Sequence, residues 1–365
     1  MGEIRALPKY QEWLECLEAD PVVSRHVNAV VGTRGSAIHR SDWDYLSWFL
    51  TRQLTFGSEF TPETFEQMYV DLEEFFYSDK VTLRAFSPLQ NFASESALID
   101  LGNGLRIRKM EPEELEGLLN RDLFSAFSSM QLHRAQHAAE FVFEAEKIAG
   151  DFPKGPPGPF EEQLTLGKLV TALRLFEPGN VGVNLIVVSS LADNPAIGSN
   201  IRGGGAHELR LGPRCQLSKE EADQFRDFWH YLSTIDLNRP APLSIAISRF
   251  NDGYERRKLQ DRLIDYMIAF EALLYKKGER GEFRHKLAVR TARLLAEDRG
   301  ERDRIAKEMR DFYDRRSQIV HGTKTSFDRK FVDKVEGYLR RSVREFLERL
   351  KDTSHDEVIS HLDLD

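Results

Sequence analysis

From about Pro242 onward the sequence holds almost unbroken helical periodicity, and this run constrains the chain more than any other feature. A first pattern runs from "LSIAISRFNDGYERRKLQDRLIDYMIAFEALLYKK" to about Lys277, where Gly278 and Gly281 interrupt it. "EFRHKLAVRTARLLAED" follows, with Leu287, Leu294 and Leu295 on one side. A third helix, "ERDRIAKEMRDFYDRRSQIV", aligns Ile305, Met309, Phe312, Ile319 and Val320. A fourth has Ser326 as its expected N-cap and turns Phe331, Val335, Tyr338, Leu339, Val343, Phe346 and Leu350 inward. Short connections between amphipathic helices predict an antiparallel bundle over residues 241–351. The acidic tail, 352–365, is expected to fray.

Residues 1–240 read as mixed α and β. "PETFEQMYVDLEEFF" has helical spacing at Phe65, Met68, Leu72 and Phe75, and "KVTLRAFSPL" leans to strand. "ALIDLGNGLRIRKM" alternates on both sides of Gly102-Asn103-Gly104, which is a hairpin signal. "EPEELEGLL" follows as a short helix. "DFPKGPPGP" (151–159) is a loop, because four prolines and two glycines sustain neither kind of ladder. A helix is expected near 160–175, a buried strand at "NVGVNLIVVSSL", and a capping box at Ser218 and Glu221. The expected class is therefore α+β: an N-terminal mixed domain, one unit or two, followed by an all-α bundle.

The 41% hydrophobic and 30% charged content is that of a water-soluble globular chain. No run approaches the roughly 20 apolar residues of a membrane helix, and the N-terminal residues have no signal-type apolar stretch. Cys16 and Cys215 match no paired or metal-binding spacing, so a reducing cytoplasm is the expected setting. The net charge of −8 hides an asymmetry. Tyr254–Lys351 holds 27 Lys and Arg against 18 Asp and Glu, a balance of +9, which leaves −17 on the rest. A basic module beside an acidic one suits a polyanion partner, although interleaved i,i+4 charge pairs give the same composition.

Within the third helix Arg316 falls among the apolar positions, where a guanidinium is costly unless it is paired or opens on a cleft. His321 lies five residues on, about 140° round and about 7.5 Å along an ideal helix. One straight helix keeps the two side chains apart. Gly322 suits the left-handed position that ends a helix and lets His321 turn back; alternatively a symmetry mate supplies the opposite half of a composite cleft. A cationic imidazole is favoured at a helix C-terminus. Arginine to hold phosphate oxygens and histidine to move a proton suit work on a phosphodiester, with neither metal nor other cofactor.

"RSQIVH" resembles the Arg-x4-6-His signature of the HEPN superfamily, with Arg316 and His321 in its two positions; Arg315 also satisfies the spacing. "DRLIDYMIAFEALL", "FRHKLAVRTARLL" and "FYDRRSQIVHG" resemble, in order, the helices of its ApeA-like branch. "PLSIAISRFNDGY", "VTALRLFEPGNVG" and "IDLGNGLRIRKMEPEEL" are similar to N-terminal halves found in that branch. The resemblance implies a dimerising helical module, in many members a metal-independent ribonuclease of toxin or anti-phage defence systems. There the Arg and His of two protomers meet, and the ribose 2′-hydroxyl attacks the adjacent phosphate. RNA would be the substrate, and an antitoxin or regulatory protein a further partner. Active members usually carry Asn, Asp or His after the arginine; this chain has Ser317. The alternative is a non-catalytic HEPN dimer that binds RNA or nucleotide, or docks a protein.

Supporting positions follow. Glu271, in a segment apolar nearly all round, needs a partner: Arg290, as a register-setting bridge, or Arg316, as an orienting one. Tyr313 sits one turn before Arg316 and offers a hydroxyl to a phosphate, or simply packs. Arg315 and Lys324 are candidates for the RNA backbone or for ordinary surface charge. "HRAQH" places His133 and His137 at i,i+4 metal spacing, but no Glu follows the first His, so the zinc-protease pattern fails. "NIRGGGAHELRLGPR" (200–214) lacks both glycine-rich phosphate-loop spacings and reads as a loop.

Overall fold

The computed structural model of the chain describes all residues except 1–5, 34–35, 57–60, 120–134, 151–159, 184, 192–199, 204–213, 324, 352 and 365. The proline-rich segment and most of the glycine-rich one lie outside the described residues. The N-terminal elements are α1 (Pro8–Ala19), β1 (Ala29–Thr33), β2 (Ser36–Arg40), α2 (Asp42–Phe56), α3 (Pro62–Tyr77) and β3 (Lys80–Pro88). Then come β4 (Phe92–Ser94), β5 (Leu98–Gly102), β6 (Leu105–Lys109), α4 (Pro112–Leu119), β7 (His137–Glu146) and β8 (Ile148–Ala149). Helix α5 (Glu161–Phe176), β9 (Leu185–Ser190), β10 (Asn200–Gly203), β11 (Cys215–Leu217) and α6 (Lys219–Ser233) complete this part. Six helices follow: α7 (Ala241–Glu255), α8 (Leu259–Leu274), α9 (Phe283–Leu295), α10 (Arg299–Val320), α11 (Arg329–Arg349) and α12 (His355–Leu364). The α+β class is as expected.

Six strands form an antiparallel sheet in the order β10-β9-β3-β7-β6-β5. Strand β3 is central, and its alternating Val81, Leu83 and Ala85 are all buried. The β5–β6 hairpin turns through Gly102, Asn103 and Gly104, all at positive φ, as the residue types require. Beside the hairpin, Glu140 on β7 is 1% exposed and accepts hydrogen bonds from Arg106 and from Arg108, the latter at 2.8 Å. Arg108 continues to Glu114 on α4 (2.7 Å), so one buried carboxylate ties helix to sheet. The Ser218–Glu221 capping box starts α6 as the sequence predicts. Cys16 is exposed and Cys215 buried, and both are free thiols.

Helices α5 and α6 stand between the sheet and the C-terminal helices, and one buried cluster runs from Val23 to Leu362 through both regions. Buried Arg174 on α5 donates to Val181 O (2.9 Å) and to Asn251 Oδ1 on α7 (2.9 Å), and covers the Tyr254 ring. Two oxygens and the aromatic face under it offset part of the cost of burying this cation.

Three features of the helical region differ from expectation. The long first pattern is two helices, broken at Arg256–Lys258, where Arg256 and Lys258 take extended backbone. The break lets Arg256, as well as Arg249, reach Asp265 (2.6 and 3.0 Å). A continuous helix would leave Arg256 and Asp265 roughly 13 Å apart along its axis. Secondly, Asp328 rather than Ser326 caps α11, accepting the Phe331 N–H at 2.9 Å. Thirdly, the acidic tail does not fray. Ser354 and Glu357 form a capping box, and the helix it opens buries Val358, Ile359 and Leu362. Asp363 pairs with Arg290 at 2.7 Å. Among the described residues no helix is long and apolar enough to cross a membrane.

Deleting residues 353–365 is expected to cost several kcal/mol in urea unfolding, since each buried aliphatic side chain contributes about 1.5–3 kcal/mol and Arg290 loses a partner. A loss below about 1 kcal/mol would show that α12 only rests on the surface.

Candidate functional site

Arg316 lies in the last two turns of α10, between buried Phe312 and partly buried Ile319. Its side chain is 23% exposed, and its Nη2 stands 3.5 Å from Glu271 Oε2 on α8, the outer limit of a hydrogen bond. Its Nε is buried and makes no hydrogen bond. A guanidinium has five N–H donors, and this one uses a single weak contact.

Arg290 shows what a structural arginine looks like in the same helices. It is 3% exposed, and every nitrogen is engaged: Glu279 twice at 2.7 Å, Asp363 at 2.7 and 2.9 Å, and Leu274 O at 2.8 Å. The expected Glu271–Arg290 bridge is therefore absent, and Glu271 meets Arg316 instead. Glu279 lies in the turn after α8 and Asp363 in the tail, outside the helical stripes, so periodicity could not reveal either partner. Burial pushes the Glu271 carboxyl above the ordinary carboxylate value, and the Arg316 guanidinium draws it back in part.

Tyr275, one turn beyond Glu271, was missed in the sequence. Burial raises its phenol, and the neighbouring Glu271 and Tyr313 raise it further. Its hydroxyl donates to Phe283 O at 2.8 Å. Tyr313 is partly buried and packs against the core. Glu271, Tyr275, Tyr313 and Arg316 thus share one neighbourhood, made by α8 and α10. The only signal in the sequence was the i,i+4 spacing of Glu271 and Tyr275.

His321 is exposed and caps the C-terminal end of α10, just after its last residue Val320. Gly322 follows at φ +72°, its N–H bonded to Ile319 O (3.0 Å), and the Thr323 N–H bonds to Gln318 O (2.8 Å). These two bonds are the Schellman motif, which stops a helix with a glycine in the left-handed region. The glycine ends the helix as the sequence predicts, but no hydrogen bond or ion pair joins His321 to Arg316 among the described residues. Within one chain the two remain apart.

Ser317 is partly buried, and its carbonyl accepts the His321 N–H at 3.0 Å. Arg315 stands 3.5 Å from Asp311 and donates to Thr325 Oγ1 at 3.1 Å, holding the segment after the helix; Lys324 lies outside the described residues. His133 is likewise outside them. His137 opens a strand and packs edge-on against Phe92. Glu140 is taken by its two arginines.

Two outcomes follow from the contrast between the arginines. Arg316→Ala should cost less than about 1 kcal/mol in denaturant unfolding, as for a weak and partly exposed pair, whereas Arg290→Ala should cost about 3–5 kcal/mol. Hydrogen bonding to Arg290 pulls Glu279 from an ordinary 4.5 down to about 2. A depressed carboxylate stabilises the fold above its unfolded pKa, and that stability is lost as pH falls from about 4.5 towards 2. Glu279→Gln should lower the melting temperature at neutral pH and flatten its fall across that window. An unchanged pH profile would show that the pair contributes nothing.

No known protein family, characterised protein or solved structure matches this chain, so the chemistry of the site has to be argued from its own residues.

Proposed function

We propose that the chain is a metal-independent endoribonuclease of the HEPN type, acting as a homodimer whose two α10 ends together make the site. The observation that carries this reading is the under-used guanidinium of Arg316, partly exposed and held by one 3.5 Å contact to Glu271. A phosphate offering two oxygens in bidentate geometry would outcompete that contact. His321, exposed at the helix end, is free to exchange a proton with a docked substrate. A second copy of the chain supplies its own Arg316 and His321 across the cleft, which removes the difficulty that the pair does not meet within one chain.

In the proposed reaction the ribose 2′-oxygen attacks phosphorus as its proton leaves to a base. The P–O5′ bond breaks, and the departing 5′-oxygen takes a proton from an imidazolium. The products are a 2′,3′-cyclic phosphate and a 5′-hydroxyl. Arg316 stabilises the charge that gathers on the non-bridging oxygens, His321 moves the proton, and Glu271 positions Arg316. A role in toxin or anti-phage defence in the cytoplasm, with an antitoxin or regulatory partner, belongs to the same proposal.

A second reading is a non-catalytic dimer that binds RNA, nucleotide or protein. It is favoured by Ser317, which cannot act as a strong acid or base where active members carry Asn, Asp or His. Cleavage of labelled single-stranded and structured RNA in EDTA separates the two. Wild-type protein should cut and leave cyclic phosphate ends, and Arg316→Ala and His321→Ala should each lose at least about a hundredfold in rate, the usual scale of acid–base catalysis. Cutting that survives both substitutions would sink the nuclease reading; a stable dimer that does not cut would favour the scaffold.

A further inference from the structure

Helix α3 carries more apolar surface than the core uses. Met68, Leu72, Phe75 and Phe76 are buried, as an inward stripe requires. Phe65, Tyr69 and Tyr77 lie on the adjoining ridge, at positions four or eight apart, and remain 42%, 50% and 52% exposed. Phe65, which helical spacing assigns to the inward stripe, is thus among the rings left out. Exposed aromatic rings gathered on one ridge are the kind of patch that marks a binding site.

These rings belong to the wall of a cavity of about 510 Å³ bounded by α1, α2 and α3. Trp13 and Leu17 line it from α1, and Phe49 from α2. Its deepest lining is core: Tyr45 is fully covered and Phe76 is 4% exposed. The rings brace one another. Phe49 meets Phe65 edge-on with 5.3 Å between centroids, and Phe65 stacks on Tyr69 at 6.1 Å. Lys147, between β7 and β8, donates to Phe76 O at 2.9 Å and to Phe75 O, which anchors the end of α3 to the strands. The Tyr77 hydroxyl donates to Asp20 at 2.6 Å and joins that same end to the residue after α1. The fold itself therefore holds the cavity in shape.

Its charge is opposite to that of the C-terminal helices. Helices α1, α2 and α3 contain three, two and five Asp or Glu, against Lys9 and Arg52 alone. Arg52 is occupied with Asp71. In the lining itself Asp20 and Glu73 stand against Lys9. The Tyr77 hydroxyl and the N–H groups of Val23 and Val22 hold the Asp20 carboxyl below its ordinary range, so it is ionised at neutral pH. Glu73 sits on the ridge between Tyr69 and Tyr77, and among the described residues its carboxylate makes no hydrogen bond or ion pair.

Aromatic walls with an exposed carboxylate beside them select an organic cation. The face of a ring attracts a cation within about 6 Å, and an acid-rich surface draws positive charge towards the opening. A fatty acid or other organic anion meets the wrong sign, because two carboxylates outweigh Lys9. A bare metal ion would leave the rings in water. A volume of this size takes one small molecule, and a mainly apolar wall with a few polar groups is the usual make-up of such a site.

We propose that this cavity binds a hydrophobic organic cation, an ammonium group carried on an aromatic or polycyclic body. Trp13, Phe65 and Tyr69 surround the body, and Glu73 stands beside the charge. The site belongs to the N-terminal region and does not depend on the Arg316 site being a nuclease.

The test is titration calorimetry on the full chain with three probes that share a naphthalene body: naphthylmethyl-trimethylammonium, naphthalenemethanol and naphthaleneacetate. Wild type should bind the cation saturably and about threefold more tightly than the alcohol, the scale of one solvent-screened charge pair, with the acetate weakest. Two variants change exposed residues and should keep the melting temperature. Glu73→Gln should remove the advantage of the cation and leave the alcohol unchanged, whereas Tyr69→Ala should weaken both by about threefold or more. The double variant Arg316→Ala, His321→Ala should bind like wild type. Absence of saturable binding by the cation, tighter binding of the alcohol or the acetate, or binding that both cavity variants leave unchanged overturns the proposal. A dimer that Tyr69→Ala splits in sedimentation overturns it as well, and assigns the ridge to a second copy of the chain.

Discussion

Helix α8 is buried nearly all round, and the rest of the helical region is arranged to satisfy that burial. Leu263, Tyr266, Met267, Ala269, Phe270, Leu273 and Leu274 are all fully covered, because α7, α9, α10 and α11 pack against the helix from different sides. A helix in that position has little room for polar groups, since each one removed from water must find a partner. It carries three with consequences. Asp265 is 3% exposed and answered by two arginines across the α7–α8 break. Arg262 and Glu271 are answered only in part.

The arginines of these helices divide by how fully their donors are used. Arg290 and Arg174 are both enclosed: two carboxylates and a carbonyl engage every nitrogen of Arg290, while Arg174 meets two oxygens and an aromatic ring. They hold elements together that are far apart in sequence: the turn after α8 with the tail, and α5 with α7. Arg316 and Arg262 sit on the same helical framework with donors unspent. Since a guanidinium stays charged at any ordinary pH, the difference reflects what surrounds each one, and an unspent donor is where an external phosphate gains most.

Much of this was legible locally. The turn residues at 102–104, the Ser218–Glu221 capping box and Gly322 each act within a few residues, so their type and spacing were enough to predict the hairpin, the start of α6 and the end of α10. The apolar stripe of α11 was readable for the same reason. The α7–α8 break was not, because Arg256–Lys258 contains neither glycine nor proline; the chain turns there so that Arg256 can reach Asp265. The tail was misread as frayed because its acids dominate the composition, although the Ser354–Glu357 pair and the spacing of Val358, Ile359 and Leu362 did announce a helix.

For the site, the sequence alone determined that Arg316 must lie on an inward stripe and that α10 must end at His321-Gly322, since both follow from helical period and backbone stereochemistry. Tertiary structure decided the partners. Glu271 meets Arg316 and not Arg290, because Arg290 is already saturated by Glu279 and Asp363, which approach from a turn and from the tail. The cluster that gathers Arg256, Arg262, Arg329 and Arg340 is likewise a tertiary product, since the start of one helix and half of another meet there beside a loop some 80 residues earlier. Periodicity orders residues along one element, whereas the satisfaction of a buried charge is settled by whichever group another element brings within about 3 Å.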